Sequence, residues 1–86
     1  MNKDIILQFK KYNASFVEDN LIINKFDKIF IFKEFEAELL RLFDGAASLK
    51  AVSEYLQEKY SDTYLENEFL DFVRSMVEKE ILIEIV

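Results

Sequence analysis

The sequence predicts a small α+β domain, in which a three-stranded antiparallel β-meander precedes three helices and a short C-terminal extended segment. First, residues 28–32 are nearly all apolar and mostly β-branched or aromatic, as in a short strand. Second, apolar residues then recur at helical spacing over residues 34–43, and Gly45 closes the segment as a helix C′ residue would. Third, stretches 49–60 and 63–80 carry apolar stripes of helical period.

Two turns upstream predict the rest of the meander. Asp19 and Asn20 lie between two apolar runs, and both residue types tolerate the positive φ angle that a tight hairpin needs. A second turn at Phe26 and Asp27 leads directly into the strand at 28–32. The three apolar runs are therefore expected to pair in sequence order.

The start of the domain depends on how residues 1–13 are interpreted. They contain one short apolar run, IILQF at 5–9. An extra strand or a dimer contact is one interpretation. A terminal arm that frays or packs loosely is the other, and we favour it because chain ends are poorly ordered unless they are tied down. A single domain is predicted over residues 14–86.

Capping patterns predict where the later helices begin. Ser48 is the expected N-cap of the second helix. Thr63-x-x-Glu66 has the form of a capping box and is expected to start the third helix. The apolar side chains of that helix cover an arc of about 160°, wider than the usual core-facing stripe of about 100°. Residues 81–86 are predicted to be extended.

The composition argues against several kinds of chemistry. The chain has no Cys and no His, so it lacks thiolates, the commonest general base and the commonest metal ligand. We expect no catalytic residue, no metal and no cofactor. The net charge of −6 is uneven, with six Lys against four acids in residues 1–33 and five basic residues against thirteen acids in residues 34–86. No apolar stretch suits a signal peptide or a membrane span, so a cytoplasmic protein is expected.

Three motifs resemble the PqqD-like family over roughly residues 14–84. FKEFEAELLRLFDG at 32–45 resembles that family's strand-to-helix segment, in which a Leu-Asn-Glu-Thr-Ala-like start leads through aliphatic pairs to Asp-Gly. SLKAVSEYLQEKY at 48–60 is similar to its second helix, and EFLDFVRSM at 68–76 resembles its third. The order and spacing of the three motifs together carry the resemblance.

The resemblance implies a winged helix-turn-helix domain that binds a peptide and is not an enzyme. Such domains hold the leader segment of a ribosomally synthesised precursor peptide and deliver it to a modifying enzyme, such as a leader peptidase or a radical maturase. Here it implies a stand-alone protein, a monomer or weak dimer, without nucleic-acid or membrane partners. The family's usual Asn, Thr and Gly are Lys33, Phe35 and Glu80 in this chain, so differences are expected at the helix ends.

In the family, the leader adds as a strand beside the third strand, in a groove walled by the third helix. Residues 28–32 are predicted to be an edge strand that no Pro or bulge protects. The wide apolar arc of the third helix suits a groove wall, while Phe69, Phe72 and Met76 are assigned to the core. The expected peptide-binding residues are Lys28, Ile29, Phe30, Ile31, Phe32, Leu70, Val73, Arg74 and Val77.

Two other functions are considered beside leader binding. A generic protein–protein adaptor that binds a different partner is the main alternative. DNA binding by a winged helix is less favoured, because residues 63–80 carry two basic side chains against five acids and would repel phosphates.

Three basic side chains near the predicted groove lead to a separate expectation. Lys28, Lys33 and Arg74 are expected to face an acidic residue of the leader. The alternative is that Arg74 pairs only within its own helix.

Overall fold

The computed structural model describes residues 2–10 and 13–85, and it confirms the α+β class. The strands form two antiparallel three-stranded sheets, one in the order β5-β1-β6 and the other in the order β2-β3-β4. Parts of the predicted N-terminal and C-terminal segments, at residues 1, 11, 12 and 86, lie outside the described residues. The elements are β1 (Ile6–Phe9), β2 (Ala14–Val17), β3 (Asn20–Lys25), β4 (Lys28–Phe32), α1 (Glu34–Arg41), β5 (Ala47–Ser48), α2 (Leu49–Lys59), α3 (Glu66–Glu78) and β6 (Leu82–Ile85).

The predicted meander is present as β2, β3 and β4, but its first turn is one residue earlier than expected. Val17 pairs with Asn20, so the loop residues are Glu18 and Asp19, and Glu18 adopts the positive φ of 59°. The second turn is confirmed. Phe26 and Asp27 both have positive φ, 55° and 58°, which is the geometry of a type I′ hairpin loop.

The favoured interpretation of the N-terminal segment as a fraying arm is wrong for residues 6–9. They form β1, the central strand of the other sheet, which pairs with β6 on one side and β5 on the other. Leu7 and Phe9 are buried in the core. The Phe9 N–H also donates to the Phe43 carbonyl (2.9 Å), and the Lys10 N–H donates to the Ile81 carbonyl (3.0 Å). This segment is therefore integral to the domain.

One hydrophobic core joins the two sheets and the three helices. Both sheets and all three helices contribute fully buried apolar side chains, and the longest strand, β3, contributes two. The buried apolar residues are Leu7, Phe9, Leu21, Ile23, Phe32, Ala37, Leu39, Leu40, Phe43, Leu49, Val52, Leu56, Phe69, Val73, Met76, Ile81 and Leu82.

The ends of α1 and α2 agree only in part with the sequence. Ser48 caps α2 as predicted, because its Oγ accepts a hydrogen bond from the Ala51 N–H (3.0 Å). Lys33 stands where the family motif has Asn, and as expected from that difference it makes no side-chain cap for α1. Helix α1 ends at Arg41, earlier than residue 43, so Gly45 is not its C′ residue. It lies in the following turn with φ of 92°.

The capping box predicted for α3 is wrong. The helix begins at Glu66 after Leu65, which makes no side-chain cap. The Glu66 carboxylate instead accepts hydrogen bonds from Lys3 Nζ and, at 3.4 Å, from Ser53 Oγ. A contact 63 residues away along the chain therefore replaces the local one.

The end of α3 is a Schellman motif built without glycine. The Ile81 N–H donates to the Met76 carbonyl (2.9 Å) and the Glu80 N–H to the Val77 carbonyl (3.0 Å). Glu80 therefore occupies the left-handed C′ position, with φ of 59°. Lys25 Nζ also donates to the Glu80 carbonyl (2.8 Å), which ties this end of α3 to the β3–β4 hairpin.

We expect Glu80→Gly to stabilise the domain by about 0.5–1 kcal/mol, because glycine adopts the left-handed conformation without the Cβ clash. Chemical denaturation of the two proteins measures the difference. Glu80→Ala is the matched control, since it removes the same charge and keeps the Cβ. An equal gain in both variants would mean that the charge, not the backbone, is unfavourable.

Candidate functional site

The free edge of β4 is a stretch of backbone that could bind another chain. Among the strands that the structure describes, β4 pairs with β3 alone. Its side chains alternate between the two faces of the sheet. Phe32 is buried and Phe30 half-buried on the inner face, whereas Ile29 and Ile31 are 67% and 59% exposed on the outer face. The predicted edge strand is confirmed.

The hydrogen-bond register shows which backbone groups of β4 point outwards. Lys25 and Lys28 flank a two-residue loop, so they form a hydrogen-bonded pair. The next pair, Asn24 and Ile29, is then a non-hydrogen-bonded pair, and indeed the Asn24 N–H points away from β4 to the Asn13 carbonyl (3.1 Å). The alternation therefore directs the N–H and C=O groups of Ile29 and Ile31 to the free edge of the sheet.

Two contacts connect α3 to the β3–β4 hairpin. The Phe32 ring packs edge-to-face against the Phe72 ring at 6.3 Å. At the turn end of the hairpin, Nζ of Lys25, the last residue of β3, donates to the carbonyl of Glu80, just beyond α3. Phe72 therefore marks the side of α3 nearest to β4, and helical spacing puts Ser75 and Lys79, three and seven positions further along, on the same side of the helix. We call the space between the free edge and this helix side the β4–α3 groove.

The residues predicted on α3 do not line this groove. Val73 is 0% exposed and belongs to the core, so its assignment to a binding surface is wrong. Leu70, Arg74 and Val77 lie on the opposite flank, the one that carries Glu66 and faces Lys3 of the N-terminal segment. The sequence shows how wide the apolar face of a helix is. It does not show which edge of that face lies beside which strand.

The charge around the groove also differs from the expectation. Arg74 pairs with Asp71 on its own helix at 3.0 Å, as the alternative interpretation predicted. Lys28 and Lys33 are exposed at the two ends of β4, as expected. The basic group on the helix side is instead Lys79, whose Nζ donates to Ser75 Oγ at 2.7 Å. Sequence reasoning missed Lys79, although its spacing from Phe72 marks a shared helix face.

Two carboxylates with shifted pKa values hold elements together. Glu38 accepts hydrogen bonds from Lys59 Nζ (2.6 Å) and from the Tyr60 hydroxyl (2.9 Å), and these bonds lower its pKa and join α1 to α2. The hydrogen bond from Lys3 likewise lowers the pKa of Glu66. Both acids therefore act as tethers between elements.

No protein-family model, curated protein or solved structure matches this chain. Over residues 2–10 and 13–85, no helix is long and apolar enough to cross a membrane. The same residues contain no group of three or more acids that would hold a metal ion.

Proposed function

We propose that this protein binds the leader segment of a ribosomally synthesised precursor peptide by strand addition to β4, and delivers it to a modifying enzyme such as a leader peptidase or a radical maturase. The observation that carries the proposal is the free edge of β4, with the outward backbone groups of Ile29 and Ile31, beside a helix side formed by Phe72, Ser75 and Lys79. The proposal includes a winged helix-turn-helix fold for α1–α3.

Strand addition alone gives weak binding. Four hydrogen bonds to Ile29 and Ile31 contribute together about 2–6 kcal/mol, at roughly 0.5–1.5 kcal/mol each. Association costs at least about 4 kcal/mol. Each apolar leader side chain buried in the groove adds roughly 1.5–3 kcal/mol. One or two such side chains beside Phe72 are therefore needed for a useful affinity, and they provide the sequence preference.

The groove favours an acidic leader. Lys28, Lys33 and Lys79 surround it, and the helical part of the protein is acidic further away. Each exposed pair is worth roughly 0.2–1 kcal/mol and acts mainly on the association rate and the register of binding. DNA binding is not supported, because α3 presents four acids and its one basic residue, Arg74, is already paired.

Calorimetry with the leader and core halves of the precursor peptide encoded beside this gene tests the proposal. We expect the leader to bind at one-to-one stoichiometry with micromolar or better affinity, about −8 kcal/mol. The core half should not bind. Binding through the core alone contradicts the proposal, and binding of neither half favours the generic adaptor.

A further inference from the structure

A second concave surface lies among the helices, away from the free backbone edge. It is a cleft between the start of α1, the end of α2 and the start of α3, with a volume of about 200 Å³. Pockets that hold a cofactor or a drug-sized ligand occupy roughly 300–1,000 Å³, so this helix cleft has room for one large side chain. It is lined by Phe35, Glu36, Leu39, Leu56, Tyr60, Thr63, Tyr64, Leu65, Glu68, Phe69 and Phe72.

The walls of the helix cleft are unusually aromatic. The rings of Phe35 and Tyr60 pack edge-to-face at 5.4 Å, and those of Tyr64 and Phe69 lie 6.0 Å apart. Further aromatic rings add favourably to such arrangements, because edges and faces carry opposite partial charge. A planar aromatic side chain therefore suits this cleft better than an aliphatic one.

Two large apolar side chains at the helix cleft are left open to solvent. Phe35 is 48% exposed and Leu65 is 58% exposed. Phe35 lies in the first turn of α1, and Leu65 directly precedes α3. Exposed apolar groups beside a concave surface are typical of an interaction site.

The charge at the helix cleft is entirely negative. Glu36 and Glu68 are its only charged lining residues, and both are exposed. Within residues 2–10 and 13–85 neither forms an ion pair, in contrast to Glu38 and Glu66 nearby. Both acids therefore remain available to a cation, which the aromatic walls would also attract.

We propose that the helix cleft binds a segment of a partner protein in which a large aromatic side chain lies next to Lys or Arg. The aromatic side chain fills the space between Tyr60, Tyr64 and Phe69, and the basic side chain lies against Glu36 and Glu68. This preference is opposite in charge to that of the β4–α3 groove. The inference does not depend on the proposed leader binding, because it uses a different ligand and a surface that shares only Phe72 with the β4–α3 groove.

Two capped dipeptides, Ac-Trp-Lys-NH2 and Ac-Trp-Glu-NH2, serve as probes in titrations followed by amide chemical shifts of the folded protein. We expect saturable shifts centred on residues 63–72 and at Phe35. The Lys probe should bind about two- to fivefold more tightly than the Glu probe, in line with one or two exposed charge pairs. Shifts centred on β4, no saturable shift, or equal affinity of the two probes would overturn the proposal.

Three variants locate the binding. Leu65→Ser should weaken the Lys probe about tenfold, since it removes an apolar wall without adding charge, and the residue is largely exposed, so the fold stays intact. Tyr55→Ser is its matched control, a similarly exposed side chain on α2 outside the cleft, and should have no effect. Glu68→Gln should reduce the preference for Lys, and Glu36→Gln with Glu68→Gln together should abolish it, whereas Glu58→Gln should retain it. Equal effects in a variant and its control would contradict the assignment of the site.

Discussion

Replacing Leu7 by glutamate is expected to unfold the domain, whereas the same replacement at Ile6 should leave it folded. The two residues are neighbours on β1 but point to opposite faces of the sheet. Leu7 is fully buried and Ile6 is 44% exposed. An unpaired carboxylate at Leu7 costs several kcal/mol. The whole stability of an 86-residue domain is about 4–13 kcal/mol, so the loss is comparable to the total.

Far-UV circular dichroism and urea denaturation of the two variants measure this difference. Leu7→Ala is a milder version that should remain folded and lose about 2–5 kcal/mol, the usual range for a truncated core leucine. If the N-terminal segment frayed in solution, all three variants would be as stable as the wild type. Unfolding by Leu7→Glu alone would show that β1 is part of the cooperative unit.

The sequence predicted the elements whose signals are local. The meander follows from β-branched runs separated by turn residues, and the helices follow from their apolar period. Strand β1 was not predicted because its burial depends on pairing with β6, which lies at the other end of the chain. In that pairing, Leu82 of β6 is opposite Phe9. A four-residue run does not carry that information, since pairing over such a separation is decided by the whole fold.

The same limit explains the errors around α3. Thr63-x-x-Glu66 has the local form of a cap, but Lys3 and Ser53 bind the Glu66 carboxylate instead. The edge strand at β4 was predicted correctly, because the last strand of a meander has one neighbour in the meander and no other described strand pairs with it. The side of α3 nearest to β4 was not predicted, because it depends on the packing of Phe72 against Phe32 in the folded protein. Which residues form a groove depends on packing between elements, which a local pattern does not contain.

Ile31→Pro is expected to abolish leader binding without unfolding the protein. The proline removes the outward N–H of Ile31, one of the groups proposed to pair with the peptide, and its ring blocks the approach of a strand. Edge strands tolerate proline where the N–H faces solvent. Phe30, the preceding residue, is already extended, as a residue before proline prefers. The inward bonds of Phe30 and Phe32 to β3 are retained.

The matched control is Ile31→Ala, which removes most of the side chain but keeps the N–H. Because Ile31 points to the outer face of the sheet, Ile31→Ala should bind the leader almost as well as the wild type. Ile31→Pro should lose at least about tenfold in affinity, equivalent to 1.4 kcal/mol, by calorimetry with the same leader peptide. Equal losses in both variants would assign the effect to the side chain and contradict strand addition. Unchanged binding by Ile31→Pro would mean that the peptide pairs elsewhere, and β2, the other edge of this sheet, would be the next strand to test.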